Sequence, residues 1–116
     1  MRIATGIAIL LLLQSCKAEI KSIPKPADVV PRDSIVLILE EMMVLEGHVQ
    51  SKYPQITQFH KVMQKSGDQL LEKYHMNFDR YSRSIDYYGS DQEEMQKIYS
   101  EVLDSMNRKM NELQAK

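Results

Sequence analysis

The sequence predicts an all-α protein, a small bundle of four to five helices preceded by a cleaved signal and an extended proline-rich tether. From Pro31 onward, apolar residues recur at the three- and four-residue spacing of amphipathic helices. No segment alternates apolar and polar residues as a half-buried strand does. A chain of 116 residues is long enough for one domain with its own core.

The first residues have the pattern of a secretory signal. Arg2 is followed by the apolar run Ile7–Leu13, and Leu13-Gln14-Ser15-Cys16 closes the segment. The run is too short for a transmembrane helix, which needs roughly 20 residues. Because Cys16 is the only cysteine and stands at the expected cleavage point, the segment resembles the lipobox of bacterial lipoproteins. We therefore expect residues 1–15 to be removed and Cys16 to be acylated, with palmitate among its fatty acids.

The segment that follows is predicted to be a tether. Residues 16–30 contain Pro24 and Pro26 among alternating charges, with little to bury. Proline-rich chain favours extended polyproline II geometry. The helical domain is then expected over residues 31–116.

Two long helices are expected in the first half of the domain. The first runs from about Asp33 to Ser51 and ends before Tyr53-Pro54, because the residue before a proline disfavours helix. The second runs from about Gln55 to Tyr74. Gly67 interrupts it, which predicts a kink, a close crossing or a break into two helices.

Two further helices are expected after a turn. Asn77 is the predicted N-cap of a short helix that ends at Gly89. Ser90 followed by Glu93 has the form of a capping box, which predicts a last helix running to about Gln114. The apolar spacing of that helix predicts that its last apolar residues, Met110 and Leu113, face inward.

Glu46 is the most conspicuous candidate for a functional or buried polar residue. On a helical wheel it falls between Ile35 and Leu39, within the apolar stripe of the first helix. A buried carboxylate must be paired, hydrogen-bonded or protonated. The sequence leaves three interpretations open: a structural tie to another helix, a carboxylate that grips a ligand or metal, and a rotation of the helix that differs from the one the wheel assumes.

Two other groups of candidates come from the helical phases. Ser84, Tyr87 and Tyr88 belong to the densest aromatic group of the chain, and packing and ligand contact both explain tyrosines at this spacing. Leu37, Met43 and Val44 lie off the main stripe of the first helix, so they are the predicted exposed docking patch.

Several functional classes find no support in the sequence. With 15 basic and 16 acidic residues the chain has no basic patch for nucleic acid. Glu72-x-x-His75 matches half of a di-iron carboxylate motif, whose second copy is missing from the sequence, so no metal site is predicted. No nucleophile motif or phosphate-binding loop is present, and we expect neither catalysis nor a cofactor.

The order of these features resembles a known family. Leu45-Glu46-Gly47 in the first helix, Ser84-x-x-Tyr87-Tyr88 in the third and Ile98-Tyr99-x-x-Val102 in the last are similar to the small helical lipoproteins called domain of unknown function 4296. The resemblance implies an all-α lipoprotein of Gram-negative envelopes and no reaction. It also directs attention to Glu46, Ser84, Tyr87 and Tyr88.

The sequence therefore predicts a non-enzymatic lipoprotein, anchored in the outer membrane by its lipid and facing the periplasm. Its expected role is that of an adaptor or accessory subunit that docks an envelope protein through a helix face. The alternative is a carrier of a small apolar or lipidic ligand, which requires a pocket of at least ~300 Å³ lined by methionine and tyrosine. An enzyme would instead place Glu46 on a pocket wall beside a second titratable group.

Overall fold

A computed structural model describes residues 23–116 and contains four helices in that range. They are α1 (Arg32–Lys52), α2 (Ile56–Lys73), α3 (Phe78–Gly89) and α4 (Gln92–Gln114). The all-α prediction is confirmed, and the predicted helix bounds agree with the observed ones to within two residues. The predicted signal and Cys16 lie outside the described residues, as does the first part of the tether.

The central helix of the bundle is α1. It runs antiparallel to α2, since Glu41 near the middle of α1 meets Lys73 at the end of α2. It runs parallel to α4, since Arg32 at its start pairs with Glu94 and Glu101. The shorter α3 covers only part of this arrangement, because it has 12 residues and α4 has 23.

The core is built from the apolar stripes of these helices. Ile35, Ile38, Ile98 and Val102 are fully buried where α1 meets α4. The other buried apolar residues of the core cluster are Val30, Leu39, Leu71 and Met76. In α1, α3 and α4, apolar residues three and four positions apart face this core. This spacing is the reason that the sequence pattern predicts these helices.

Gly67 lies inside an uninterrupted α2 and is buried against Met42 of α1. A β-carbon at this position would lie 3.8 Å from the Met42 sulfur. The predicted break into two helices is therefore wrong, and the Met42 side chain of α1 packs against α2 at this glycine.

The predicted boundary between tether and domain lies too late in the chain. Val30 is 1% exposed and belongs to the core. Its backbone N–H donates to the Ser84 hydroxyl at 2.9 Å, and its carbonyl accepts from the Tyr88 hydroxyl at 2.7 Å. Asp28 pairs with Arg83. The packed domain thus begins at about residue 28, because α3 needs an apolar cover on this side and Val30 supplies it.

The prediction that Met110 and Leu113, at the end of α4, face inward is wrong. Met110 is 51% exposed and Leu113 is 75% exposed. Their spacing is helical, but α3, with its 12 residues, is too short to cover the second half of α4. The last two turns of α4 consequently carry apolar side chains that face solvent.

Candidate functional site

An apolar depression lies between α1, α2 and α3. It has a volume of about 600 Å³ and is open to solvent. Its apolar lining comes from all three helices: Met42, Met63, Leu71, Phe78 and Tyr81. A surface of this kind fits an apolar ligand or the apolar face of a helix.

Two smaller depressions continue this one at its ends. One, of about 360 Å³, shares Leu71 and Phe78 with it and lies beside Asp79. The other, of about 300 Å³, shares His60 with it and is lined by Glu46 and Phe59. The three together form a single surface, which we call the lateral groove.

Local sequence explains why the groove is open. The turn at Tyr74–Asn77 carries the chain from α2 to α3, with His75 at a positive φ of 52°. Asn77 then caps α3 by accepting the N–H of Arg80, as predicted. Because α3 starts beside the end of α2, the first half of α2 and the second half of α1 have no α3 above them.

Glu46 lies in this uncovered region, so the prediction that it is buried is wrong. It is exposed, and every residue that shares its depression belongs to α1, α2 or the turn between them. The wheel places Glu46 within the apolar stripe, but α3 does not extend over this part of α1, so the side chain stays accessible to solvent. Glu46 shares the wall of this depression with His60, but both side chains are exposed, so neither is desolvated as a catalytic acid or base usually is.

Among residues 23–116, the buried carboxylate is that of Glu40, which the sequence did not single out. It is 4% exposed, and the Lys109 ammonium donates to its Oε1 at 2.6 Å. This hydrogen bond lowers the pKa of Glu40 below its usual value, although burial opposes the shift. The partner lies 69 residues away on α4, so no local pattern could have identified the pair.

Ser84 and Tyr88 act together on one stretch of backbone. Ser84 is fully buried, and its hydroxyl accepts the Val30 N–H while donating to the Arg80 carbonyl at 2.8 Å. Tyr88 donates to the Val30 carbonyl, and burial raises the pKa of its phenol. These contacts account for both side chains without a ligand. Tyr87 packs edge-on against Tyr88, with ring centroids 5.2 Å apart.

The predicted docking patch on α1 is only partly accessible. Leu37 and Val44 are 53% and 55% exposed and lie on the outer side of the helix. Met43 is half-buried against the core, so it belongs to the packing between helices. The patch lies on a different side of α1 from the lateral groove.

Within residues 23–116, no group of three or more His, Cys, Asp or Glu side chains is placed to hold a metal ion. No helix in that part of the chain is long and apolar enough to cross a bilayer.

Comparison with known proteins gives a family and no activity. The family described as Domain of unknown function (DUF4296) matches residues 26–112, which is most of the chain and nearly all of the helical domain. The start of the match agrees with a packed domain that includes Asp28 and Val30. No curated protein and no solved structure matches the chain.

Proposed function

This chain belongs to the DUF4296 family, and we propose that it is a non-enzymatic, lipid-anchored docking protein of the cell envelope. The lateral groove carries the proposal. It is apolar on its floor, open to solvent, and edged by the aromatic ring of Phe78, which is 61% exposed. Exposed aromatic residues beside an apolar groove are typical of surfaces that bind another protein.

The leader supports the anchoring part of the proposal. An acylated Cys16 would hold the domain at the membrane, with the residues before Asp28 as the connection. The proposed location is the outer membrane of a Gram-negative bacterium, with the domain facing the periplasm.

Anchoring is tested by Cys16→Ala. We expect this variant to incorporate no fatty acid and to retain its signal, because the thiol is the group that is acylated. Labelling with radioactive palmitate and the band size on an immunoblot measure both effects, with Ser15→Ala as the control that keeps the thiol. Unchanged palmitate incorporation in Cys16→Ala would remove the lipoprotein from the proposal.

Docking is tested by crosslinking from inside the groove. A photoreactive phenylalanine analogue is placed at Phe78 in living cells, and a second variant carries it at Leu37 on the outer face of α1. We expect a discrete protein adduct from position 78 and none from position 37. Adducts from position 37 alone would move the docking surface to the predicted patch on α1.

A carrier of a small apolar ligand is the second candidate. The observation that favours it is the volume of about 600 Å³ with Met42, Met63 and Tyr81 in the lining, which lies within the range of ligand pockets. In the same experiment, a lipid or small-molecule adduct at position 78 without a protein adduct would establish the carrier.

A further inference from the structure

The formally charged side chains that line the lateral groove are carboxylates. Glu46 lies at one end, and Asp68, Glu72 and Asp79 lie at the other. Lysine and arginine are missing from the lining of all three depressions within residues 23–116. The whole chain is nearly neutral, with a formal charge of −1, so the groove departs from the average of the protein.

Some acidic groups outside the groove are paired within the fold, whereas Asp33, Asp104 and Glu112, like the groove carboxylates, form no salt bridge among residues 23–116. In the part of the chain that the structure describes, Asp28, Glu40, Glu41 and Glu101 each pair with a lysine or arginine of another helix or segment. None of the salt bridges formed by residues 23–116 includes a carboxylate of the groove. The groove therefore offers its negative charge to a partner.

Phe78 adds an aromatic ring to the end of the groove that carries Asp68, Glu72 and Asp79. Its ring is 61% exposed and shares a depression with Asp68, Glu72 and Asp79. A lysine or arginine placed over this ring would meet an aromatic face and carboxylates together. An isolated apolar ligand would use only the ring.

We propose that the lateral groove binds a basic amphipathic helix of a partner protein. The apolar face of that helix would lie on Met42, Met63 and Tyr81, in the position above α1 and α2 that α3 leaves uncovered. Its basic residues would meet Phe78 at one end and Glu46 at the other. About ten residues of α2, from His60 to near Leu71, separate these ends, which corresponds to ~15 Å or about three turns of the bound helix.

The inference rests on the proposed docking function and adds the chemistry of the partner. Opposite charges across an interface mainly set the choice of partner and the rate of association. The proposal therefore predicts that the protein binds basic helices more tightly than acidic ones, and that this preference depends on the salt concentration. Binding of an apolar face alone would show neither effect.

Two synthetic helical peptides of about 18 residues, ~27 Å long, provide the probe. They share one apolar face of leucine and methionine, and their polar faces carry lysine in one peptide and glutamate in the other. Calorimetric titration of the purified full-length protein is expected to show about tenfold tighter binding of the lysine peptide at low salt. The preference should shrink as salt is added.

A matched pair of triple variants locates the effect. Asp68→Asn, Glu72→Gln and Asp79→Asn together remove charge from the groove, and the preference should fall to about twofold or less. Asp33→Asn, Asp104→Asn and Glu112→Gln remove the same charge from surfaces outside the groove, and the preference should persist. All of these positions are exposed, so neither triple variant disturbs the core.

Equal binding of the two peptides, absence of binding, or an equal loss in both triple variants would overturn the inference. Crosslinking from position 78 separates this result from the proposed function. A protein adduct there, combined with equal binding of the peptides, would keep the docking function and reject only the basic partner.

Discussion

At the scale of single residues, Ser84 is the polar group on which the packing of the N-terminal segment depends. Its hydroxyl is the partner of the Val30 N–H, and both residues are almost completely buried. Ser84→Ala would leave that N–H without a partner in the core, so we expect a loss of about 1–3 kcal/mol in the free energy of unfolding. Urea denaturation measures the loss.

Ser51→Ala is the control for this variant. Ser51 is exposed, and its hydroxyl donates to the His48 carbonyl of its own helix at 2.8 Å. Water can replace that bond, so the expected change lies within about 0.5 kcal/mol. Equal effects of the two substitutions would show that the contact between Val30 and Ser84 does not stabilise the fold.

The carboxylates of α1 predict how stability depends on pH. The Lys109 ammonium holds the pKa of Glu40 below its ordinary value of 4.5, and the Tyr74 hydroxyl does the same for Glu41. The unfolded chain binds more protons than the folded one in this range, so the stabilisation is complete above the ordinary pKa and is lost as the pH falls below it. The bond to Glu41 also raises the pKa of Tyr74 to about 12.

We therefore expect the free energy of unfolding to decrease between about pH 5 and pH 3, and to decrease less steeply in Glu40→Gln. Urea titrations at several pH values measure the slope. Glu112→Gln, on the exposed end of α4, is expected to keep the slope of the original protein. A slope in Glu40→Gln equal to that of the original protein would assign the acid sensitivity to other groups.

The sequence predicts which residues share a face of a helix, but not whether another helix covers that face. The wheel placed Glu46 within the apolar stripe of α1, yet the side chain is exposed in the structure. Its exposure depends on where α3 starts, which is a property of another helix. Glu40 shows the converse, because a polar position of α1 becomes buried when Lys109 reaches it from α4.

At the scale of the helices, two neighbouring residues, Ser90 and Asp91, could each cap the start of α4. The sequence favours Ser90 as N-cap, but the structure assigns that role to Asp91, whose carboxylate accepts the N–H groups of Glu93 and Glu94 at 3.1 Å. The Ser90 hydroxyl instead donates to the Tyr87 carbonyl at the end of α3. Two adjacent capping residues satisfy the same pattern, so spacing alone could not choose between them.

Asp91→Ala tests this assignment. We expect it to cost about 1 kcal/mol, because two backbone donors at the start of α4 lose their acceptor. Ser90→Ala is expected to cost less, since only the end of α3 is affected. Both values come from thermal or urea unfolding. A larger loss in Ser90→Ala would restore the capping box predicted from the sequence.

At the scale of the whole molecule, lengths of helices determine which surfaces remain open. Periodicity identified all four helices and the stripes that form the core, because these depend on residues close in the chain. It could not predict that α3 covers only half of the bundle. The lateral groove and the exposed end of α4 both result from that difference in length, and so they appear only in the folded structure.

The position of the domain boundary is the remaining prediction at this scale. A chain that begins at Ala27 keeps Asp28 with Arg83 and keeps Val30 in the core. A chain that begins at Pro31, the predicted start of the domain, loses both. Burial of a valine side chain contributes roughly 1.5–3 kcal/mol, and the two hydrogen bonds of the Val30 backbone contribute about 1 kcal/mol each.

We therefore expect residues 31–116 to be less stable than residues 27–116 by at least ~3 kcal/mol, enough to unfold a marginally stable small domain. Urea unfolding of the two chains measures the difference, with Val30→Ala in the longer chain as the control that removes the side chain alone. The control should lie between the two. Equal stability of the two chains would return residues 28–30 to the tether and leave the surface of α3 beside Ser84 free for another partner.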